Sequence, residues 1–151
     1  MIVESVRVHM LSSQHVVILK ESDRDRYLPI WIGPSEANAI AMRLQGLNAE
    51  RPLTHDLLVS MVAALQSSVS RVVVTHVTDG TFHARLYLEM ADGGEAEIDS
   101  RTSDAIAVAV RSGSTISRCA PSTHWSRPSG ERTQSRAAPP GRKSISQESS
   151  V

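Results

Sequence analysis

The sequence predicts an α+β fold, with mixed sheets carrying three helices and a C-terminal segment without a packed core. Three observations lead there. Strand-like and helix-like segments follow the order βββ–αα–βββ–α, which is not the alternating βα repeat of a doubly wound sheet. Residues 1–116 hold 54 apolar residues, with 10 basic against 14 acidic groups for a net charge of −4, as in an ordinary globular domain. Residues 117–151 hold only 7 apolar residues, with 6 basic and 2 acidic groups for a net charge of +4, so the zero formal charge of the whole 151-residue chain conceals a split.

Val6, Val8 and Met10 alternate with Arg7 and His9, the period of a half-buried strand. His15 to Lys20 contains an unbroken β-branched-rich run, and Tyr27 to Ile32 reads as a third strand. Pro29 cannot donate to a ladder, which places that third strand at an edge or gives it a bulge. Gly33-Pro34 opens a helix over 34–46, with Pro at the first helical position and Glu36 in the first turn, where the helix dipole favours a negative charge. Ile40 and Leu44 belong to its expected apolar stripe, and Gly46 supplies a left-handed stop. A second helix spans 54–67, with Thr54 as N-cap, Asp56 in its first turn, and Leu57, Leu58, Met61, Val62 and Leu65 as its expected buried stripe.

Val69 to Thr78 and Thr81 to Met90 flank Asp79-Gly80, a strong hairpin signal. In the second of these strands Ala84 and Leu86 face one way and His83, Arg85 and Tyr87 the other, so one side of the sheet is polar or covers a site. Asp92-Gly93-Gly94 turns into Glu95 to Asp99. Thr102 or Ser103 then caps a third helix over 103–112, with Ala105, Ile106, Ala109 and Val110 as its stripe and Gly113 past its end. Beyond Ile116 neither period persists, and nine Ser, four Pro and five Arg in residues 117–151 predict a disordered basic tail. The expected domain therefore covers 1–116.

Several classes are excluded. The single cysteine, Cys119, rules out an internal disulfide framework and a cysteine-built zinc site. No apolar run approaches the ~20 residues that span a bilayer. Glu4 and Arg7 interrupt the N-terminal apolar residues, unlike a signal peptide, so a soluble cytoplasmic protein without a membrane partner is expected. Walker, GxGxxG, HExxH, CxxC and GxSxG motifs are absent. Trp31, between Ile30 and Ile32, reads as core or as an oligomer contact, and 3% aromatic content is too low for an extended base-stacking surface.

Polar residues gather instead at strand ends, turns and helix starts. His55 is placed to act as a general base, and the adjacent Asp56 to bind a metal; the alternative is that Thr54 and Asp56 only cap the helix. Asp99 and Asp104 flank a strand-to-helix turn with Arg101 and Ser103 between them. Hard carboxylate oxygens suit Mg²⁺, and Arg suits bidentate phosphate contact. The alternative there is a capping box with a structural Asp–Arg pair. Asp79 is explained by the turn it occupies.

The segments LPIWIGPSEANAIAMRLQG (28–46), RPLTHDLL (51–58), DGTFHARLYLE (79–89) and IDSRTSDAIAVAVRSG (98–113), in this order and spacing, resemble the bifunctional nuclease family. The resemblance implies a mixed α+β fold, a wedge-shaped homodimer with a groove at its thick end, and hydrolysis of DNA and RNA assisted by a divalent ion such as Mg²⁺ or Mn²⁺. Its motifs match here at Glu36, His55, Asp56, Asp79, Asp99, Arg101, Ser103 and Asp104 without assigning their roles. The chemistry of the residues makes Glu36, His55, Asp56, Asp99 and Asp104 the expected catalytic groups, with Asp56, Asp99 and Asp104 as ion ligands and Arg51, Arg101 and Ser103 on the substrate. Ser35 stands where the family commonly has an aromatic residue. The departure comes after Ile116, where no apolar strand is expected. A shifted reading frame in a GC-rich gene or a genuine basic extension would each produce that change. The net charge of −4 on residues 1–116 keeps a second class open, a non-catalytic dimeric regulatory or ligand-binding module, unless Arg43, Arg51, Arg101 and Arg111 line one groove with the acids.

Overall fold

Alternation in the first three strands becomes a sheet with one buried face. In the computed structural model, which describes residues 1–9, 13–47 and 49–119 except for the side chain of His76, β1 (Ile2–Val8), β2 (His15–Lys20) and β3 (Tyr27–Ile32) pair antiparallel in that order. Val17, Leu19, Leu28 and Ile30 point inward and are buried. On the other face Val16 lies opposite Trp31, Ile18 opposite Pro29 and Lys20 opposite Tyr27. β3 is an edge strand, as Pro29 requires. Trp31 is 58% exposed and so is not a core residue, contrary to that part of the expectation.

The second sheet contains β4 (Ser68–Thr78), β5 (Thr81–Glu89), β6 (Glu95–Arg101) and β7 (Thr115–Arg118), in the order β6-β5-β4-β7. Asp79 and Gly80 form the β4–β5 turn with φ of 49° and 76°, the left-handed pair that a two-residue hairpin demands. Val72, Val74, Ala84 and Leu86 face the core. The outer face carries the Arg71–Glu95 and Arg85–Glu97 ion pairs, and Arg71 stacks 3.9 Å above the Tyr87 ring.

β7 corrects the expectation that no strand follows the third helix. Ser117 and Arg118, assigned by composition to the tail, pair in parallel with Val73 and Val74. The pattern is hard to read because only Ile116 is buried; the rest of the strand is held by its backbone, by Ser117 Oγ donating to Val72 O (3.3 Å) and by Arg118 reaching Glu21 (3.5 Å). Met1 N also donates to Ile116 O at 2.6 Å, joining the chain start to this strand. The expected tail from residue 120 onward lies outside the described residues.

Three helices fill the space between and beside the sheets: α1 (Pro34–Leu44), α2 (Thr54–Ala64) and α3 (Thr102–Ser112). α3 is the centre of the core. Ala105, Ile106, Ala107, Val108 and Ala109 are all buried, so it is enclosed nearly all round rather than along the single expected stripe. Its many alanines let β4 and β5 close on one side and α1 and α2 on the other. Gly113 ends it in the left-handed conformation (φ 73°).

α1 buries Ala37, Ala39 and Ile40 but leaves Leu44, its last residue, exposed. α2 departs further from expectation. Leu57, Leu58, Met61 and Leu65 are exposed, Leu65 at 71%, while Val59 packs against the core. Nearly every position from Leu57 to Leu65 is apolar, so periodicity could not choose a face. Polar contacts choose it. His55 bonds Asp104 and Asp56 bonds Arg111, both on α3, and Val59 and Val62 lie three to seven residues on along that same face.

Arg111 completes this arrangement. Its side chain is 6% exposed; Nε donates to Asp56 Oδ1 (2.6 Å), Nη1 to Ala107 O (3.0 Å) and Nη2 to Ala39 O (3.2 Å), joining all three helices. Asp56 Oδ2 accepts the Leu53 backbone N–H (2.9 Å), so Leu53 rather than Thr54 is the N-cap, and Asp56 caps from within the first turn. Burial pushes the Asp56 carboxyl up, but the Leu53 bond, the Arg111 guanidinium and the charge of Arg43 outweigh it and hold Asp56 below its ordinary 3.8.

A carboxyl depressed in the folded state contributes stability above its unfolded value, and that contribution is lost as pH falls through 3.8 toward the folded value. Asp56→Asn should therefore flatten the acid limb of the stability–pH curve, as measured by urea unfolding between neutral pH and the acid transition. An unchanged acid limb would refute the assignment. Ile106→Ala should cost about 2–5 kcal/mol as a core truncation, whereas Leu65→Ala should cost an isolated protomer no more than about 0.5 kcal/mol. Equal losses at the two positions would show that the α2 face is misassigned.

Candidate active site

Helix starts collect acids because the first turn leaves backbone N–H groups unpaired and a partial positive charge exposed. The fold brings three such starts into a single network. Glu36 stands in the first turn of α1, His55 in that of α2, and Arg101 is the N-cap of α3, with Asp104 in its first turn. Arg101 Nη1 lies 3.2 Å from Glu36 Oε1 and 4.0 Å from Asp104 Oδ2, so one guanidinium nitrogen stands between two carboxylates. The Arg101 side chain is 67% exposed, so an anion can approach it from solvent. On the other side of Asp104, Oδ1 lies 3.2 Å from His55 Nε2. An ionised carboxylate only accepts, so the proton of a neutral His55 belongs on Nε2 and the basic lone pair on Nδ1.

Gly33 gives Glu36 its place. A Cβ at residue 33 would collide with the Glu36 carboxylate, which folds back over the bare backbone there. Neither α1 nor α3 has a side-chain cap, which leaves the early N–H groups of both helices without that partner; the expected capping by Thr102 or Ser103 is not made. Beside the cluster a cleft of about 330 Å³ opens between the end of β3, the starts of α1 and α3, and the β4–β5 turn. Gly33, Arg101, Thr102 and Ser103 line it, so Arg101 joins the cleft to the charged cluster.

The other expected site residues lie elsewhere. Asp56 neighbours His55 in sequence, but its two oxygens are taken by Arg111 and Leu53, which is the helix-capping alternative combined with an ion pair. Asp99 is opposite Arg85 in the β5–β6 register, while Ser100 and Ile98 are opposite Ala84 and Leu86; Asp99 thus points away from α3 and the cluster. Arg51 is exposed in the α1–α2 loop. The four arginines do not line one groove. Arg43 and Arg111 border a second cleft of about 350 Å³ with Asp56 and Glu50, and Arg101 borders the first.

Among the described residues no three of His, Cys, Asp and Glu converge as metal ligands, so Asp56, Asp99 and Asp104 do not form a ready-made ion site. Glu36 and Asp104, which approach the same Arg101 nitrogen, carry hard carboxylate oxygens of the kind that Mg²⁺ or Mn²⁺ takes. Such ions often take only one or two carboxylates and complete their shell with water and substrate phosphate. The roles of Arg111 and Gly33 were not anticipated. The sequence offers Arg111 only as a candidate for a basic groove rim, and Gly33 only as the opening of a helix.

A family model for the bifunctional nuclease domain matches residues 17–119. An uncharacterized protein of Mycobacterium tuberculosis is 43% identical over 111 residues, covering 74% of this chain and 65% of that protein. Bifunctional nuclease 1 of Oryza sativa subsp. indica is 27% identical over 109 residues, covering 70% of this chain and 33% of the rice protein, and the bifunctional nuclease of Oryza minuta matches to the same extent. The match therefore spans just under two thirds of the mycobacterial protein's length and one third of the rice proteins'. No helix among the described residues is long and apolar enough to cross a membrane. With the matched region running from within β2 to the end of β7 and including all three helices, the chain belongs to the bifunctional nuclease domain family.

Proposed function

We propose that this chain is a cytoplasmic nuclease that hydrolyses phosphodiester bonds of DNA and RNA at the His55–Asp104–Arg101–Glu36 cluster. The observation that carries the reading is Asp104, which engages a histidine with one oxygen and stands beside an exposed arginine with the other. Asp104 holds the His55 ring so that Nδ1 can take a proton from an attacking water. Arg101, released from Glu36, pairs with the non-bridging oxygens of the phosphate, and the uncapped N–H groups at the start of α3 favour the same anion. Attack on phosphorus breaks one P–O ester bond, and the departing oxygen receives a proton.

Glu36 and Asp104 would hold a divalent cation, whose charge would lower the repulsion that a phosphate meets from these carboxylates. When bound, Mg²⁺ or Mn²⁺ would supply Lewis-acid stabilisation and a more acidic water. The second reading, a non-catalytic regulatory or ligand-binding module, is favoured by one specific observation: Arg43 and Arg111 border a different cleft from Arg101, so no continuous basic rim surrounds the acids.

Purified full-length chain should nick plasmid DNA and degrade RNA in Mg²⁺ or Mn²⁺, and EDTA should stop both. His55→Ala and Asp104→Asn should each lower the rate about tenfold or more, from lost acid–base and electrostatic catalysis. Asp99→Asn, on the opposite sheet face, should change it less than about threefold. If His55→Ala and Asp104→Asn, both folded, matched the wild type, the regulatory reading would replace this one.

A homodimer is part of the same proposal. The outward Leu57, Leu58, Met61 and Leu65 form an apolar face on α2 of the kind that association covers. Met61→Glu should convert a dimer to a monomer in analytical ultracentrifugation; a wild-type monomer at micromolar concentration would contradict the dimer.

A further inference from the structure

The cleft beside the charged cluster contains chemistry that phosphate binding does not use. Trp31 and Phe82 line it together with Arg101 and Thr102. Trp31 leaves much of its indole in solvent, and the edge-on contact with His9 (centroids 6.4 Å apart, planes at 73°) gives the ring a neighbour on one side. A large aromatic exposed at the wall of a concave site offers a flat face for stacking. Thr102, which also lines the cleft, is 4% exposed, and its Oγ1 is buried with no hydrogen-bond partner among the described residues. At about 330 Å³ the cleft lies at the small end of ligand pockets, suited to a single flat unit rather than a long segment.

We propose that this cleft holds one unpaired base of single-stranded DNA or RNA, stacked on Trp31, with the adjoining phosphate at Arg101. The inference rests on the nuclease reading of the neighbouring cluster and narrows its substrate. A base inside a duplex has both faces covered by its neighbours, and it can enter an aromatic-lined cleft only by leaving the stack. An unpaired base offers its face without that cost, so the cleft selects single strands. Stacking on the indole and phenyl rings is tolerant of base identity, and the polar residues Gln14, His15, Thr81 and Ser103 line the rest of the cleft. The low aromatic content of the chain fits one base position beside the phosphate rather than a row of them.

The test uses the full chain in Mg²⁺ with fluorescein-labelled oligonucleotides whose phosphorothioate linkages resist cleavage, single-stranded or as a duplex of the same sequence. Anisotropy should show the single strand bound at least about fivefold more tightly. Trp31→Ala should remove that difference, and Trp31→Phe, which keeps an aromatic face, should retain most of it. Equal binding of both forms by the wild type, no binding of either, or a preference that survives in Trp31→Ala would overturn the inference. The two readings fail separately. A chain that prefers single strands through Trp31 but cleaves nothing would sink the nuclease reading, and an active nuclease indifferent to Trp31→Ala would sink only the assignment of the cleft.

Discussion

The buried guanidinium of Arg111 is the constraint on which the rest of the site depends. It joins the α2 start through Asp56, its own helix through Ala107 O and the middle of α1 through Ala39 O. A buried charge needs its partners. Once Arg111 is enclosed, Asp56 must remain ionised beside it, and burial of the one enforces the position of the other. That requirement sets the roll of α2, a helix whose apolar residues would otherwise allow several orientations. His55, one residue earlier, is thereby directed to Asp104 two turns away on α3. Structure and candidate chemistry thus use adjacent residues for opposite purposes: Asp56 is fully committed, and His55 is presented.

The electrostatic layout follows from the same geometry. α1 and α3 lie side by side, with Glu36 near Arg101 and Arg43 Nε donating to Val110 O near the other end, so their starts point the same way. Two helix starts without side-chain caps, two carboxylates and one exposed arginine then share a small region. Such a place attracts an anion through its N–H groups and a cation through its carboxylates, a combination suited to a phosphate accompanied by a divalent ion. The opposite face of the larger sheet, by contrast, is a surface of paired charges in which Arg71 and Arg85 are already matched by Glu95 and Glu97.

Much of the fold was legible because local signals and tertiary structure agree. Asp79-Gly80 demanded a hairpin, Pro29 an edge strand and Gly113 a left-handed stop, and each rests on backbone sterics that packing seldom overrides. What could not be read depended on long-range choices. The buried face of α2 was decided by polar partners 49 and 55 residues away, and β7 by a backbone ladder to β4 rather than by apolar pattern. Glu36, His55, Arg101 and Asp104 were recognisable as acids and partners at helix starts, while the separation of Asp99 followed from strand parity: it alternates with Ile98 and Ser100, which lie opposite Leu86 and Ala84. Trp31 illustrates the opposite failure, since apolar neighbours on both sides suggested core although in a strand they face the other way.

The central claim is that the Arg111 junction holds His55 against Asp104 with its proton on Nε2. Side-chain ¹H–¹⁵N correlation spectroscopy of the neutral histidine ring reads this directly. The account predicts the Nε2–H tautomer for His55 in the wild type and a mixture of tautomers in folded Arg111→Ala, where α2 is no longer fixed. A wild-type His55 in the Nδ1–H form, or a single Nε2–H form that survives loss of Arg111, would contradict it.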